Sequence, residues 1–254
     1  MLTIARRTVY SAADIITAHY EQLHRLEIHT KAANDFVSNI DIAVEQALIN
    51  GIREVYPEHL ILAEESGLSG SKSSIYRWVI DPIDGTTNFI KGLPHFAISM
   101  AVYKNNKLEA GLVYQPITDE LFAAARGQGA TLNDKKIRAS KVLPENGIIA
   151  TGIPFRQSEL MPKQISSMKK VLATFPDIRR AGAASLDLCY VACGRVDGYY
   201  EFGLSEWDIA AGALIAQESG AIVSDTNGEL SHLSTGNIIA APPKIYRTLI
   251  KITK

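Results

Sequence analysis

Two aspartates, Asp81 and Asp84, sit three apart in the segment WVIDPIDGTTNF, residues 78–89. An apolar strand, Trp78 to Ile80, delivers Asp81 to its carboxyl end. Pro82 has no N–H and biases Asp81 toward extended geometry, so the chain is expected to stop pairing there and turn. Asp84-Gly85-Thr86-Thr87 reads as the start of a helix, with Asp84 near the N-cap. Such a start offers unpaired amides and a partial positive charge, which suits a phosphate. Neighbouring carboxylates repel unless a cation lies between them. A hard divalent cation such as Mg2+ takes oxygen ligands and would also meet a phosphate oxygen. Together these parts spell metal-assisted phosphate-ester hydrolysis. The plainer alternative makes Asp84 only a cap and Asp81 a surface turn residue.

Other acidic positions favour the first reading. The apolar run Leu60 to Ala63 also ends on carboxylates, Glu64 and Glu65. If the two strands are neighbours that end together, Glu64 lies beside Asp81. Asp208, in WDIAAG, heads an apolar helix, where a simple cap is the competing role. Asp41, closing NDFVSNID at residues 34–41, heads another and carries the same alternative. Glu201 follows Tyr199-Tyr200 at the end of a strand; its bland role is a solvated strand end.

The elements that must position these residues follow from periodicity. Leu2, Ala5, Val9, Ala12, Ile16, Tyr20 and Leu23 recur at helical spacing over residues 2–24. A second helix is expected over residues 40–56, stopped by Pro57. Residues 31–41 between them read as a loop or hairpin. Strands are expected at 60–63, 78–80, 95–103, 108–114 and 121–125, with Lys104-Asn105-Asn106-Lys107 as a hairpin turn. A turn follows at 127–134, with a short strand pair at 135–138. Beyond Pro144 the order alternates: strands at 148–151, 196–202, 221–224 and 238–240, and helices at 159–175, 185–193, 209–219 and 242–252. Hairpins first and alternation later predict α+β followed by α/β. The expected division is 1–145, carrying most metal ligands, and 146–254, supplying Asp208 and substrate contacts.

The bulk numbers set limits. A chain of 254 residues with 46% hydrophobic content can bury a sizeable core. Lys and Arg number 26 against 27 Asp and Glu, so no basic face argues for direct nucleic-acid binding. Cys189 and Cys193, the only two cysteines, are expected to be buried free thiols. Few cysteines fit a reducing compartment and a cytoplasmic setting. The first twenty residues read as a helix rather than a signal peptide, and no run of about 18 apolar residues predicts a membrane span.

Taken together, NDFVSNID, AEES, DPIDGTTNF, GRVDGYYE and WDIAAG resemble the inositol monophosphatase family, in its bacterial SuhB-type branch. The motifs occur in family order and spacing from about residue 29 to about residue 240. The resemblance implies a layered αβαβα fold, a homodimer, and two or three Mg2+ ions per subunit. It implies that Glu64, Asp81 and the backbone carbonyl of Ile83 hold a first metal, and Asp81, Asp84 and Asp208 a second. Glu64 would also help hold a weaker third. It pairs Thr86 with Asp41 as the dyad that activates water. It gives Gly85 and Thr86 the phosphate, and Ala184, Glu201 and Asp208 the substrate side. Inositol monophosphate or a similar polyol or sugar phosphate is the implied substrate, and lithium the implied inhibitor. Related phosphatases act on histidinol phosphate, fructose-1,6-bisphosphate and adenosine bisphosphate. The bacterial branch is also linked to transcription antitermination through elongation factors and RNA. Three positions depart from the family pattern: Ala183, Ser205-Glu206, and Lys31-Ala32-Ala33. Glu206 is expected to add negative charge near the anion site.

Overall fold

The structure is a computed structural model. It describes every residue except 24–27, 33, 34 and 156, with only the backbone for 28–32 and 35–37. Two helices open the chain, α1 (Leu2–Tyr20) and α2 (Asn39–Val55). The apolar spacing seen in the sequence is their contact stripe: Ala5, Val9, Ala12 and Ile16 of α1, and Val44, Leu48 and Ile52 of α2, are all buried. Between them β1 (Ile28–Ala32) and β2 (Asp35–Ser38) pair antiparallel, so a hairpin fills that connection.

The next strands build one sheet: β3 (Leu60–Ala63), β4 (Gly67–Ser69), β5 (Tyr76–Asp84), β6 (Ala97–Lys104), β7 (Lys107–Gln115), β8 (Glu120–Ala125), β9 (Gly129–Leu132) and β10 (Lys135–Lys136). Their spatial order is β10-β9-β8-β7-β6-β5-β3-β4. All neighbours are antiparallel except β3 and β5, which run parallel. Asn105 and Asn106, at φ of 49° and 59°, make the β6–β7 turn, where a left-handed pair matches strand twist. A short helix, α3 (Thr86–Ile90), lies between β5 and β6.

A second sheet holds β11 (Ile148–Thr151), β12 (Asp177–Arg179), β13 (Gly198–Glu201), β14 (Ile222–Ser224) and β15 (Ile238–Ala241), in the order β12-β11-β13-β15-β14. Its helices are α4 (Met161–Leu172), α5 (Ala184–Cys193), α6 (Glu206–Glu218), α7 (His232–Thr235) and α8 (Pro243–Thr253).

Four apolar cores separate five layers. One joins α1 and α2 to the first sheet, and the next joins that sheet to α5 and α6. The third joins α5 and α6 to the second sheet, and the fourth joins that sheet to α4 and α8. The result is the αβαβα sandwich the resemblance implied. The central pair α5 and α6 is covered on both sides, so α6 is apolar around most of its circumference, with Ile209 through Ala216 all buried. Cys189 is buried and Cys193 half-buried, and both thiols are free.

Several boundaries differ from the expectation. Strand β5 does not stop pairing at Asp81: pairing with β6 resumes at Asp84↔Ala97 after an irregularity at Pro82, while pairing with β3 stops at Ile80. Pro82 thus falls where only one neighbour needs an amide. The expected helix 159–175 is shorter, since a 3-10 turn occupies Ser158–Leu160 and α4 runs only to Leu172. Helix α6 begins three residues before Ile209. The strands β4 and β12 and the helix α7 had no periodicity to announce them, being three, three and four residues long. Among the described residues no helix is long and apolar enough to cross a membrane.

Candidate active site

Parallel pairing of β3 with β5 sets Ala63 opposite Ile80, so Glu64 and Asp81 leave the sheet side by side. The Glu64 amide still donates to the Ile80 carbonyl, at 3.2 Å. Beyond Asp81 the chain makes a tight turn in which the Ile83 amide donates to Asp81 Oδ1, at 3.0 Å. Pro82, lacking an N–H, fits the residue skipped by that bond.

Asp84 is not the cap of α3. That place belongs to Gly85, at φ of 95°, a left-handed conformation suited to glycine. A Cβ there would also crowd the His95 carbonyl, Phe96 and the Ala183 methyl. The Asp84 carboxylate reaches across instead to α5, accepting from the Ser185 amide at 2.7 Å and its hydroxyl at 2.5 Å. Asp208 and Asp41 are not N-caps either. Each is the third residue of its helix and reaches back to the capping serine amide: Ser205 to Asp208 at 2.7 Å, and Ser38 to Asp41 at 2.9 Å. Each capping interaction of this kind contributes about 1 kcal/mol to its helix.

These strand ends and helix starts meet. Asp81, Asp84 and Asp208 each offer an oxygen, and the three atoms lie within 4.8 Å of one another. A cation with oxygens at about 2.1 Å spans about 4.2 Å between opposite ligands, so the trio suits a hard cation. Electrostatics agree. Burial drives the Asp81 pKa well above its ordinary value, and the charges of Glu64, Asp84 and Asp208 push it further. Burial also raises Asp84, to about 6, against the opposing pull of the Ser185 donors. Such a cluster resists full ionisation unless a cation joins it, which is the behaviour of a metal site.

Around the trio lies a cavity of about 440 Å³. Glu64, Ile83, Gly85, Thr86, Ala184 and Glu201 all line it with the three aspartates. Asp41 does not: it is fully buried behind Thr86, whose hydroxyl donates to Asp41 Oδ1 at 2.9 Å and to the Ile83 carbonyl at 3.0 Å. Burial raises the Asp41 pKa, and the Ser38 hydroxyl and amide work against it. Opposite, burial pushes Glu201 up to about 8, despite the Tyr199 hydroxyl donating at 2.5 Å. Glu201 packs against Gly152, where a Cβ would come within 2.0 Å of its carboxylate.

Some features differ from the sequence reading or were missed by it. Glu206 does not add charge to the cavity. It grips Arg77 through both oxygens, at 2.7 and 2.8 Å, and does not line the site. Ala183 is buried at the foot of α5. Ala33 lies outside the described residues, as do the side chains of Lys31 and Ala32. Arg180 lines the cavity and lowers the Glu201 pKa, partly offsetting burial. Its signal was the Arg179-Arg180 pair just before the Gly182-Ala183-Ala184 stretch. Phe155 and Gln157 also line the wall, and no spacing marked them.

Comparison with known proteins adds an independent view. The family model described as the inositol monophosphatase family matches residues 1–254. The Nus factor SuhB of Pasteurella multocida is 48% identical over 251 residues, covering 98% of this chain and 94% of its own length. The crystal structure of the extragenic suppressor protein suhB from Bartonella henselae superposes with a TM-score of 0.96 at 37% identity, covering 100% of this chain and 98% of its own. A structure of an IMPase/NADP phosphatase complexed with Mg2+ and phosphate superposes with a TM-score of 0.82 at 25% identity, covering 94% and 90%.

Proposed function

The chain belongs to the inositol monophosphatase family, and from that premise we propose a Mg2+-dependent phosphomonoesterase acting on inositol monophosphate or a similar polyol phosphate. Family membership makes the chain a phosphatase of this kind. Mg2+ dependence and a polyol phosphate substrate are supported by one observation: three carboxylates converge within 4.8 Å in a cavity that Thr86, Gly85 and Glu201 also line.

In this reading Glu64, Asp81 and the Ile83 carbonyl would hold one cation, and Asp81, Asp84 and Asp208 another, with two or three Mg2+ per subunit. The chemistry Mg2+ would supply there is charge against the phosphate and a lowered pKa for water. The protein's own part is orientation. Thr86 spends its proton on Asp41 and Ile83, so its hydroxyl oxygen faces the cavity as an acceptor for water. Asp41, buried and raised in pKa, is a fitting terminus for a proton passed through Thr86. The Gly85 and Thr86 amides, at the first turn of α3, have no partner within that helix and can donate to phosphate oxygens. Glu201 and the Ala184 backbone face the alcohol portion of the ester.

A phosphate-release screen over inositol, sugar and nucleotide monophosphates, with and without Mg2+, tests the proposal. Mg2+-dependent turnover of a polyol phosphate is expected, with inhibition by lithium. Turnover that persists in excess chelator, or no turnover of any ester, overturns it. Sedimentation in the same buffer tests the homodimer we carry with this reading.

A second reading has its own support, since the 48% identical relative is named a Nus factor. Here the chain is a binding partner in transcription elongation, with catalysis dispensable. Complementation of a strain lacking the gene separates the two. Rescue by Asp84→Asn favours the binding role, and failure of a folded, expressed Asp84→Asn favours the phosphatase.

A further inference from the structure

Helix α2 carries a second buried carboxylate, one turn beyond Asp41. Glu45 is 3% exposed, and the i, i+4 spacing puts both acids on the same face. Its two oxygens receive two successive amides of another element: Glu65 N–H reaches Oε2 at 2.8 Å, and Ser66 N–H reaches Oε1 at 2.9 Å. Those amides belong to the turn between β3 and β4, residues 64–66, closed by Gly67 at φ of 73°. The turn begins with Glu64.

Three consecutive amides of this turn are therefore held from outside it: Glu64 by the Ile80 carbonyl, and Glu65 and Ser66 by Glu45. The need for a hold is geometric. Glu64 follows the last paired residue of β3, and a short hairpin turn at a sheet end is an easy place for local opening. A grip in which each Glu45 oxygen takes one of two successive amides fixes direction as well as distance.

We propose that Glu45 is a positioning residue for the cation site, fixing the 64–66 turn so that Glu64 faces Asp81 before any cation arrives. The inference rests on the reading of Glu64 as a cation ligand. It gives α2 a double task. Through Asp41 the helix holds Thr86, and through Glu45 it holds the Glu65 and Ser66 amides next to Glu64, so one element bears on both segments that flank Asp81. Glutamine at 45 keeps the volume but offers one acceptor oxygen, and its amide nitrogen then faces a backbone N–H.

The test is calorimetric titration of Mg2+ into metal-stripped wild type, Glu45→Gln and Glu64→Gln, with the Mg2+ dependence of phosphate release measured alongside. Glu45→Gln is expected to weaken Mg2+ binding about 10-fold or more, as loss of a group that orients a metal ligand typically does. The turnover number at saturating Mg2+ should stay within about 3-fold of wild type. A melting-temperature loss with unchanged Mg2+ affinity means a structural role only and overturns the proposal. Wild-type affinity in Glu64→Gln overturns the ligand reading itself. A weakened Glu64→Gln beside a wild-type-like Glu45→Gln overturns this inference alone. Hydrogen exchange on the wild-type chain needs no variant. The Glu65 and Ser66 amides should be protected in chelator as well as in Mg2+, and fast exchange in chelator overturns the pre-set turn.

Discussion

Ser185 gives both its amide and its hydroxyl to one oxygen of Asp84, at 2.7 and 2.5 Å. The bond ties the end of β5 to the start of α5, across 101 residues of sequence. It anchors the carboxylate by its Oδ2. An asparagine at 84 keeps a carbonyl oxygen for Ser185 and loses the charge. Asp84→Asn should therefore fold normally and melt no lower than wild type in chelator, since a repelling charge is gone. Phosphate release should fall by about 100-fold or more, as expected when a ligand oxygen loses its charge in a site that works by electrostatics. Turnover near the wild-type rate at ordinary Mg2+ would remove Asp84 from the metal set.

Thr86→Val tests the hydroxyl that bridges Asp41 and the cavity. Valine keeps the branched shape but leaves Asp41 Oδ1 without its donor, while Ser38 still serves Oδ2. The expected loss in turnover number is about 100- to 10,000-fold, the range for general acid–base groups. Magnesium affinity by calorimetry should change little. Thr86→Ser restores the hydroxyl and should recover most of the rate. A loss in Thr86→Ser beside a wild-type-like Thr86→Val would point to the methyl group and packing instead.

How much of this was legible beforehand depends on whether the signal was local. Alternation and helical spacing marked most elements, and the family resemblance implied the five-layer order. Glu64 and Asp81 stood out because each directly follows an apolar run, although β5 continues past Asp81 to Asp84. Asp41 and Asp208, each at the head of a helix, invited a capping role, though the cap is the serine three residues earlier. What stayed hidden lies in pairings with no sequence spacing. Ser185 with Asp84, Glu45 with the 65–66 amides, and Arg77 with Glu206 join residues 101, 20 or 21, and 129 apart. The charge of Glu206 misled for the same reason. A carboxylate near a motif faces the site only if no cation elsewhere in the fold claims it.

The acidic cluster also fixes how stability answers to pH. Asp84 is raised from 3.8 to about 6, and Glu201 from 4.5 to about 8. Between the unfolded and folded values, the native state holds protons that the unfolded chain has released. Stability from these groups is then highest below the unfolded values and declines as pH rises through the folded ones. In the proposed reading Mg2+ would bind the ionised carboxylates in place of protons, so its benefit should grow with pH. Melting curves with chelator should show a falling midpoint between about pH 5 and pH 8. The rise in midpoint on adding Mg2+ should be larger at pH 8 than at pH 5.5. An equal or larger rise at pH 5.5 would mean that the cation is held by other groups.

Glu201 and Gly152 set the test of substrate class. A methyl at 152 would sit 2.0 Å from Glu201 Oε1, so Gly152→Ala must displace the carboxylate from its place on the cavity wall. Glu201→Gln leaves the side chain in place, keeps an acceptor for the Tyr199 hydroxyl, and removes the charge. If Glu201 holds substrate hydroxyls, then at pH 9, where its carboxylate is ionised, both variants should lose about 10- to 100-fold in kcat/KM on a polyol phosphate, the worth of one strong charge-assisted bond. On p-nitrophenyl phosphate, whose leaving group carries no hydroxyl for Glu201 to hold, they should lose under about 3-fold. That split is the informative measurement, because damage to the metal site would lower both activities together. Equal losses on the two esters would move Glu201 from substrate recognition to support of Asp208, whose charge it already feels across the cavity.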